Sequence, residues 1–162
     1  MSNTLEDRVA ASDPDRHAAA LAAPPEARAK LCVLYAFNLE IARAPYVSAE
    51  PLIAQMRLQF WADVLDDIAA GKPARAHEVA EPLAALWHEH ELSIDLARQM
   101  IAARHWHIAR TPFPNMAEWL THIDDSAGNL MWLAARSLGA SDDAARAIRA
   151  MGRANGVAQW LQ

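Results

Sequence analysis

Apolar side chains recur along this chain at three- and four-residue steps, and no stretch alternates strictly, so the pattern predicts helices throughout. The strongest stretch is 52–71, LIAQMRLQFWADVLDDIAAG, where Ile53, Met56, Phe60, Val64 and Ile68 share one helical face. Leu58, Trp61 and Leu65 widen that face until most of the circumference is apolar, which predicts a helix surrounded by others at the centre of the fold. Ser48 is the expected cap of this helix, and Gly71 with Pro73 the expected stop.

Punctuation divides the remainder. Residues 1–12 read as a flexible polar lead-in, and residues 13–162 as a single helical domain. Ser12-Asp13-Pro14 starts a short helix that ends before Pro24-Pro25. A second helix over 26–44 carries Leu31, Leu34, Tyr35, Asn38 and Ile41, and Pro45 closes it. Helices are predicted over 79–91, with Leu83, Leu86 and Trp87 inward, and from a Ser93 cap to about Arg110. After the turn at 111–114, a longer helix over 116–138 is interrupted at Ser126-Ala127-Gly128, where small residues permit a kink or a close helix approach. Gly139 stops it and Ser141 caps the last helix. There Ile148, Met151, Val157 and Leu161 make an apolar face that still runs at Gln162, the pattern expected of a shortened chain.

With 162 residues there is room for one domain with a core, and 53% hydrophobic with 22% charged content fits a folded globular protein. A net charge of -5 offers no attraction to nucleic acid or to an anionic membrane. Cys32 stands alone, so no internal disulfide is available. The start of the chain lacks a signal-peptide pattern, and no stretch has the apolarity of a membrane span. A cytoplasmic location is expected, free or associated with a membrane surface.

Three sets of residues bear on chemistry. Asp63 and Asp67 lie one turn apart, with Asp66 beside them, a spacing that suits either Mg²⁺ shared with a diphosphate or, more commonly, a solvated acidic patch. His88/His90 and His105/His107 are each two residues apart and so diverge on a helix, which favours surface or helix-end histidines over zinc ligands. Arg57, between Met56 and Phe60-Trp61, needs an acceptor if buried, either an anionic ligand or a carboxylate of a neighbouring helix. Phosphate-binding glycine loops and the GxSxG elbow are absent.

In order and spacing, four segments together resemble the squalene/phytoene synthase family: Leu34-Tyr35-Ala36-Phe37, the run from Met56 to Ile68 with Gly71-Lys72-Pro73, Asp125 to Leu130, and Gly156-Val157-Ala158. The resemblance runs from about Asp15 to the end and implies an all-α, isoprenoid-synthase-like helical bundle, incomplete at its C-terminus. Active members of that family join prenyl diphosphates head to head, with Mg²⁺ held by aspartates of two acidic motifs. The positions corresponding to the first motif's two aspartates are Ala42 and Tyr46, and the arginine expected after Tyr35 is Leu39. The second motif would follow Gly156-Val157-Ala158, where the chain ends, and Trp160 stands where a glutamine is expected unless Gln159 has shifted by one. Tyr35, Arg57 and Trp61 match the family's pattern and are the expected substrate-binding residues; no catalytic residue carries over, nor does a metal role for Asp63, Asp66 and Asp67.

The resemblance therefore points to a catalytically degenerate relative that acts as a binding or assembly factor. The family has such a branch, which includes a mitochondrial respiratory complex I assembly factor with bacterial relatives. The alternative is a Mg²⁺-dependent prenyltransferase of the squalene/phytoene type, with Mg²⁺ as cofactor only in that case. Expected partners are a prenyl diphosphate or other isoprenoid lipid, a protein, and a second copy of the chain, since an incomplete bundle leaves apolar faces open.

Overall fold

A computed structural model describes residues 4–161. Thr4 opens α1 (Leu5–Ser12) with a reciprocal cap: its hydroxyl accepts from Asp7 N at 3.1 Å and its own N–H donates to the Asp7 carboxylate at 2.9 Å. Where a flexible lead-in is expected, residues 5–12 are helical, because Val9 is fully buried and anchors α1 on the helix that follows two elements later. Residues 1–3 of that lead-in lie outside the described residues. Asp13 then caps α2 (Pro14–Leu21), and Pro25 begins α3 (Pro25–Arg43).

The helix at the centre is α3, not the one the hydrophobic pattern favours. From Leu31 to Leu39 every residue but Val33 is buried, and Ile41 is sealed as well. Around α3 pack α1, α2, α5 (Ala80–His90) and α8 (Asn129–Ser137), with α4 (Pro51–Ala69) and α6 (Ile94–Ala109) closing another side. Phe37 sits in the middle, edge-on to Trp61 at 5.5 Å and to Trp87 at 6.5 Å between ring centroids.

α4 is covered on one side only. Its buried stripe is Ala54, Leu58, Trp61, Val64, Leu65 and Ile68, whereas Ile53 and Met56 of the expected inward face are 44% and 64% exposed. The stripe follows the neighbours: α6 and the 3-10 turn Ala44–Tyr46 lie along one flank, and nothing among the described residues covers the other. The N-cap is Glu50; Ser48 instead accepts a hydrogen bond from Glu50 N, so it shapes the turn before the helix. At the other end Gly71, at φ +64°, closes a double bond pattern in which Lys72 N donates to Asp67 O and Gly71 N to Ile68 O.

Ser93 caps α6 by accepting from Leu96 N, and Asn115 caps α7 (Met116–Ile123) in the same way. The expected interruption is a π turn, Asp124–Gly128, between α7 and α8. Ser126 Oγ donates to His122 O at 2.7 Å inside it, and the widened turn presents Ala127 and Gly128 to the last helix, α9 (Ala145–Trp160). Gly139, at φ +91°, stops α8, and Ser141 precedes a 3-10 turn, Asp142–Ala144, without capping it through its side chain.

The face α9 buries is glycine. Gly152 and Gly156 are its buried residues, while Met151 and Leu161 of the expected apolar face are 66% and 78% exposed. A Cβ on Gly152 would stand 2.8 Å from Ala127 O and from Met131 Cβ, so the helices approach more closely than any larger side chain permits. Large residues are excluded from such a seam and turn outward. The Arg153 guanidinium pairs with both oxygens of Asp124 across the same seam, Nε to Oδ1 at 2.7 Å. Among the described residues there is no strand, and no helix is long and apolar enough to cross a membrane.

Candidate functional site

The seam between α9 and the π turn floors a cavity of about 260 Å³. α2 contributes Asp13 and Arg16 to its wall, α3 contributes Asn38, Leu39 and Ala42, and α6 contributes Arg104 and His107. His122 and Ser126 come from α7 and the π turn, Gln159 and Trp160 from α9. Glycine at 156 brings α9 close enough for its last turn to reach this wall. A second chamber of about 210 Å³ adjoins the first and shares Arg16, Ala127, Leu130 and Gln159 with it. Ala19, Tyr35 and Met131 make its lining more apolar. Arg16 Nη2 donates to Gln159 Oε1 at 3.2 Å where the two chambers meet, and the guanidinium lies 6.0 Å from the centre of the Tyr35 ring.

The first chamber carries an uncompensated positive charge. Asp13 is its carboxylate, and it is already paired with Arg16 while accepting from Arg16 N as the cap of α2. Arg104 has no carboxylate partner among the described residues. Its Nη2 donates to Asn38 Oδ1 at 3.0 Å, and its Nε is sealed from solvent with no acceptor. Burial, with the nearby Arg16 charge, pulls its pKa down to about 10. It still carries its proton at neutral pH.

Two imidazoles border this cation. Burial first, then the positive charge of Arg104, lowers both His107 and His122 to about 4, so both rings are neutral at pH 7. Their centroids are 5.5 Å apart within an aromatic group that includes Trp106, Phe113 and Trp160. Tyr46 OH lies 3.0 Å from His107 Nδ1, and His107 Nε2 is sealed without a partner.

The expected substrate-binding residues do not converge. Tyr35 lines the second chamber, where burial raises its phenol above the usual range. Arg57 and Trp61 border a separate pocket of about 170 Å³ with Glu40, Phe60 and His77. Arg57 is exposed, so it needs no buried acceptor, and Trp61 is a core residue at 3% exposure. Asp63, Asp66 and Asp67 lie on α4 outside both chambers, each with its own partner. Asp67 bonds Lys72 at 3.0 Å and Arg75 at 2.7 Å, Asp66 bonds Arg98 at 2.7 Å, and Asp63 accepts from Gln59 at 2.7 Å.

Arg104 and His122 are wall residues that the pattern of the chain did not single out, and His107, in the last turn of α6 as the helix-end reading expected, lines the wall. The i, i+3 spacing of Arg104 and His107 places both on one face of α6, and His122 stands one turn before the small-residue interruption. Those were the available signals. What pairs them in space is the packing of the π turn, which follows α7 directly, against α6.

Mg²⁺ takes hard oxygen ligands, typically one or two carboxylates with a substrate phosphate. The wall has Ala42 and Leu39 facing the cavity, its carboxylate is committed to Arg16, and Arg104 adds a repelling charge. These residues do not fit the ion.

Residues 9–162 match the family model described as Squalene/phytoene synthase. The chain is similar to proteins named "NADH dehydrogenase (ubiquinone) complex I, assembly factor 6". The one from Bos taurus is 28% identical over 154 residues, 93% of this chain and 45% of the relative. Those from Homo sapiens and Mus musculus are each 26% identical with the same coverage. The chain thus spans less than half the length of these relatives, at 45%. No solved structure gives a significant match.

Proposed function

The chain belongs to the squalene/phytoene synthase family, and we propose that it is a catalytically retired member that works by binding, in the assembly of a respiratory complex I-type enzyme. The observation that carries this reading is the cavity wall. Loss of pyrophosphate from a prenyl diphosphate needs its charge neutralised by metal held on carboxylates. Here the wall offers a guanidinium and two neutral imidazoles, with Asp13 already paired. The similarity to proteins named for complex I assembly supplies the direction, and a protein partner follows from it.

The test has two arms on the full natural chain. Incubation with farnesyl diphosphate and Mg²⁺ is expected to give no head-to-head product and to release no pyrophosphate. Deletion of the gene in its host is expected to lower the abundance of assembled complex I on native gels and its NADH:ubiquinone activity. Product formation, or undiminished complex I in the deletion strain, would each overturn the corresponding half.

A further inference from the structure

We propose that the hollow between α6 and α7 docks a basic segment of a protein partner, seating one of its arginines between Glu118 and Asp125 against Trp106 and Phe113. This gives the partner a chemistry, and it rests on the binding role proposed above for that partner being a protein.

The hollow measures about 280 Å³, lies open to solvent and shares only His122 with the polar chamber. Local sequence builds it. On α6 the small Ala102 and Ala103 leave room one turn before Trp106. The Trp106 ring is held in place, since its Nε1 donates to Thr111 O at 2.6 Å. Phe113, from the turn that follows, stacks on it with centroids 4.7 Å apart and planes within 10°. Asn115 accepts from Glu118 N at 2.9 Å and so sets Glu118 in the first turn of α7. Asp125 comes two turns later, on the π turn, and both carboxylates line the hollow.

The charge of the hollow is negative and unanswered. Asp124 is taken by Arg153, but neither Glu118 nor Asp125 has an ion pair among the described residues. Burial, then the Asp124 charge, raises the Asp125 carboxyl above its usual range, against the pull of Arg149 on α9. Its negative charge is therefore held at a cost that an incoming cation removes. His122 is neutral at pH 7 and does not repel one.

These walls favour a guanidinium. Its faces pack on aromatic rings while its N–H groups donate in the plane to carboxylates, a combination an ammonium does not reproduce. Glu118 and Thr121 are exposed, so the hollow admits a side chain presented on another chain. The net charge of -5 on this chain favours a basic partner at longer range as well.

NMR titration of the full chain, followed at the Trp106 indole N–H, tests this with acetyl-Gly-Arg-Gly-amide and its lysine and citrulline counterparts. The arginine peptide is expected to give a saturable shift. The uncharged citrulline peptide is expected to bind at least tenfold more weakly, with the lysine peptide between them. Glu118→Gln with Asp125→Asn is expected to lose at least tenfold in affinity for the arginine peptide. Should that double variant fail to fold, Glu118→Gln alone, at an exposed position, is expected to lose at least threefold. Asp142→Asn with Asp143→Asn removes the same charge just before α9 and is expected to leave the affinity unchanged. No saturable shift in the wild type, equal binding of the citrulline peptide, or an equal loss in the Asp142, Asp143 variant would overturn the docking surface. Undiminished affinity in folded Glu118→Gln would do the same, and equal binding of the lysine peptide would overturn the guanidinium preference. None of these outcomes depends on complex I, so failure here leaves the assembly reading to its own test, and failure of that test leaves an arginine-binding surface.

Discussion

Replacing Gly152 by alanine probes the seam on which the cavity is built. In an open helix this change adds about 0.5–1 kcal/mol of stability, because glycine loses more backbone freedom on folding. At Gly152 the new methyl would meet Ala127 O at 2.8 Å, Met131 Cβ at 2.8 Å and Gly128 Cα at 2.9 Å. Carbon contacts are comfortable at about 3.5–4.0 Å, so α9 or the π turn has to move by roughly 0.7 Å or more. None of the three obstructing atoms lies at the end of a flexible side chain. Overpacking of this kind costs about 1–3 kcal/mol and outweighs the propensity gain, for a net loss of about 1–2 kcal/mol. Urea unfolding is the assay, and the loss corresponds to a fall in Tm of roughly 2–8 °C for a chain of this size. Gly156→Ala is expected to act in the same direction, since its methyl would lie 2.7 Å from both Ala127 Cβ and Ile123 Cγ2. Ala154→Gly, at an exposed position on the same helix, should show the ordinary propensity loss of about 1 kcal/mol. Gly152→Ala equal to or more stable than the parent would refute the reasoning, because it would mean that α9 is not seated on the π turn.

Trp61→Ala, which empties a site 3% exposed beside Phe37, should cost about 3–5 kcal/mol. Arg57→Ala, which borders the same pocket as Trp61 but is exposed, should stay within about 0.5 kcal/mol in the same denaturation series. The histidines set a pH dependence. His107 and His122 titrate at about 4 in the fold and near 6.5 unfolded, so the unfolded chain binds more protons between those values. Their contribution is intact above about pH 6.5 and is lost as pH falls toward 4; melting curves of the His107→Gln, His122→Gln double variant should show a shallower fall than the parent. Arg153→Ala should weaken the clamp to Asp124 by no more than about 1 kcal/mol, since the pair is partly solvated, and the difference should shrink in high salt. A difference that persists in salt would show that the arginine acts through packing.

Much of the helical order was determined by local signals alone. Ser93, Gly71, Gly139, the prolines at 24, 25 and 45, and the small residues at 126–128 mark boundaries that the fold keeps, because caps and breakers act within one turn. The resemblance carried by Tyr35, the 56–68 run and Gly156 likewise held over residues 9–162. Which helix lies at the centre was decided only in three dimensions. Helical periodicity says that a face is apolar, not how many neighbours cover it, so α4 read as central while α3 is. The same limit hid the face of α9: glycines look like gaps in a hydrophobic pattern, yet they are what two helices need to touch. The cavity was hidden most completely. Arg104, His107 and His122 are ordinary surface residue types along the chain, and they become a site only because the π turn after α7 packs on α6 and removes them together from water.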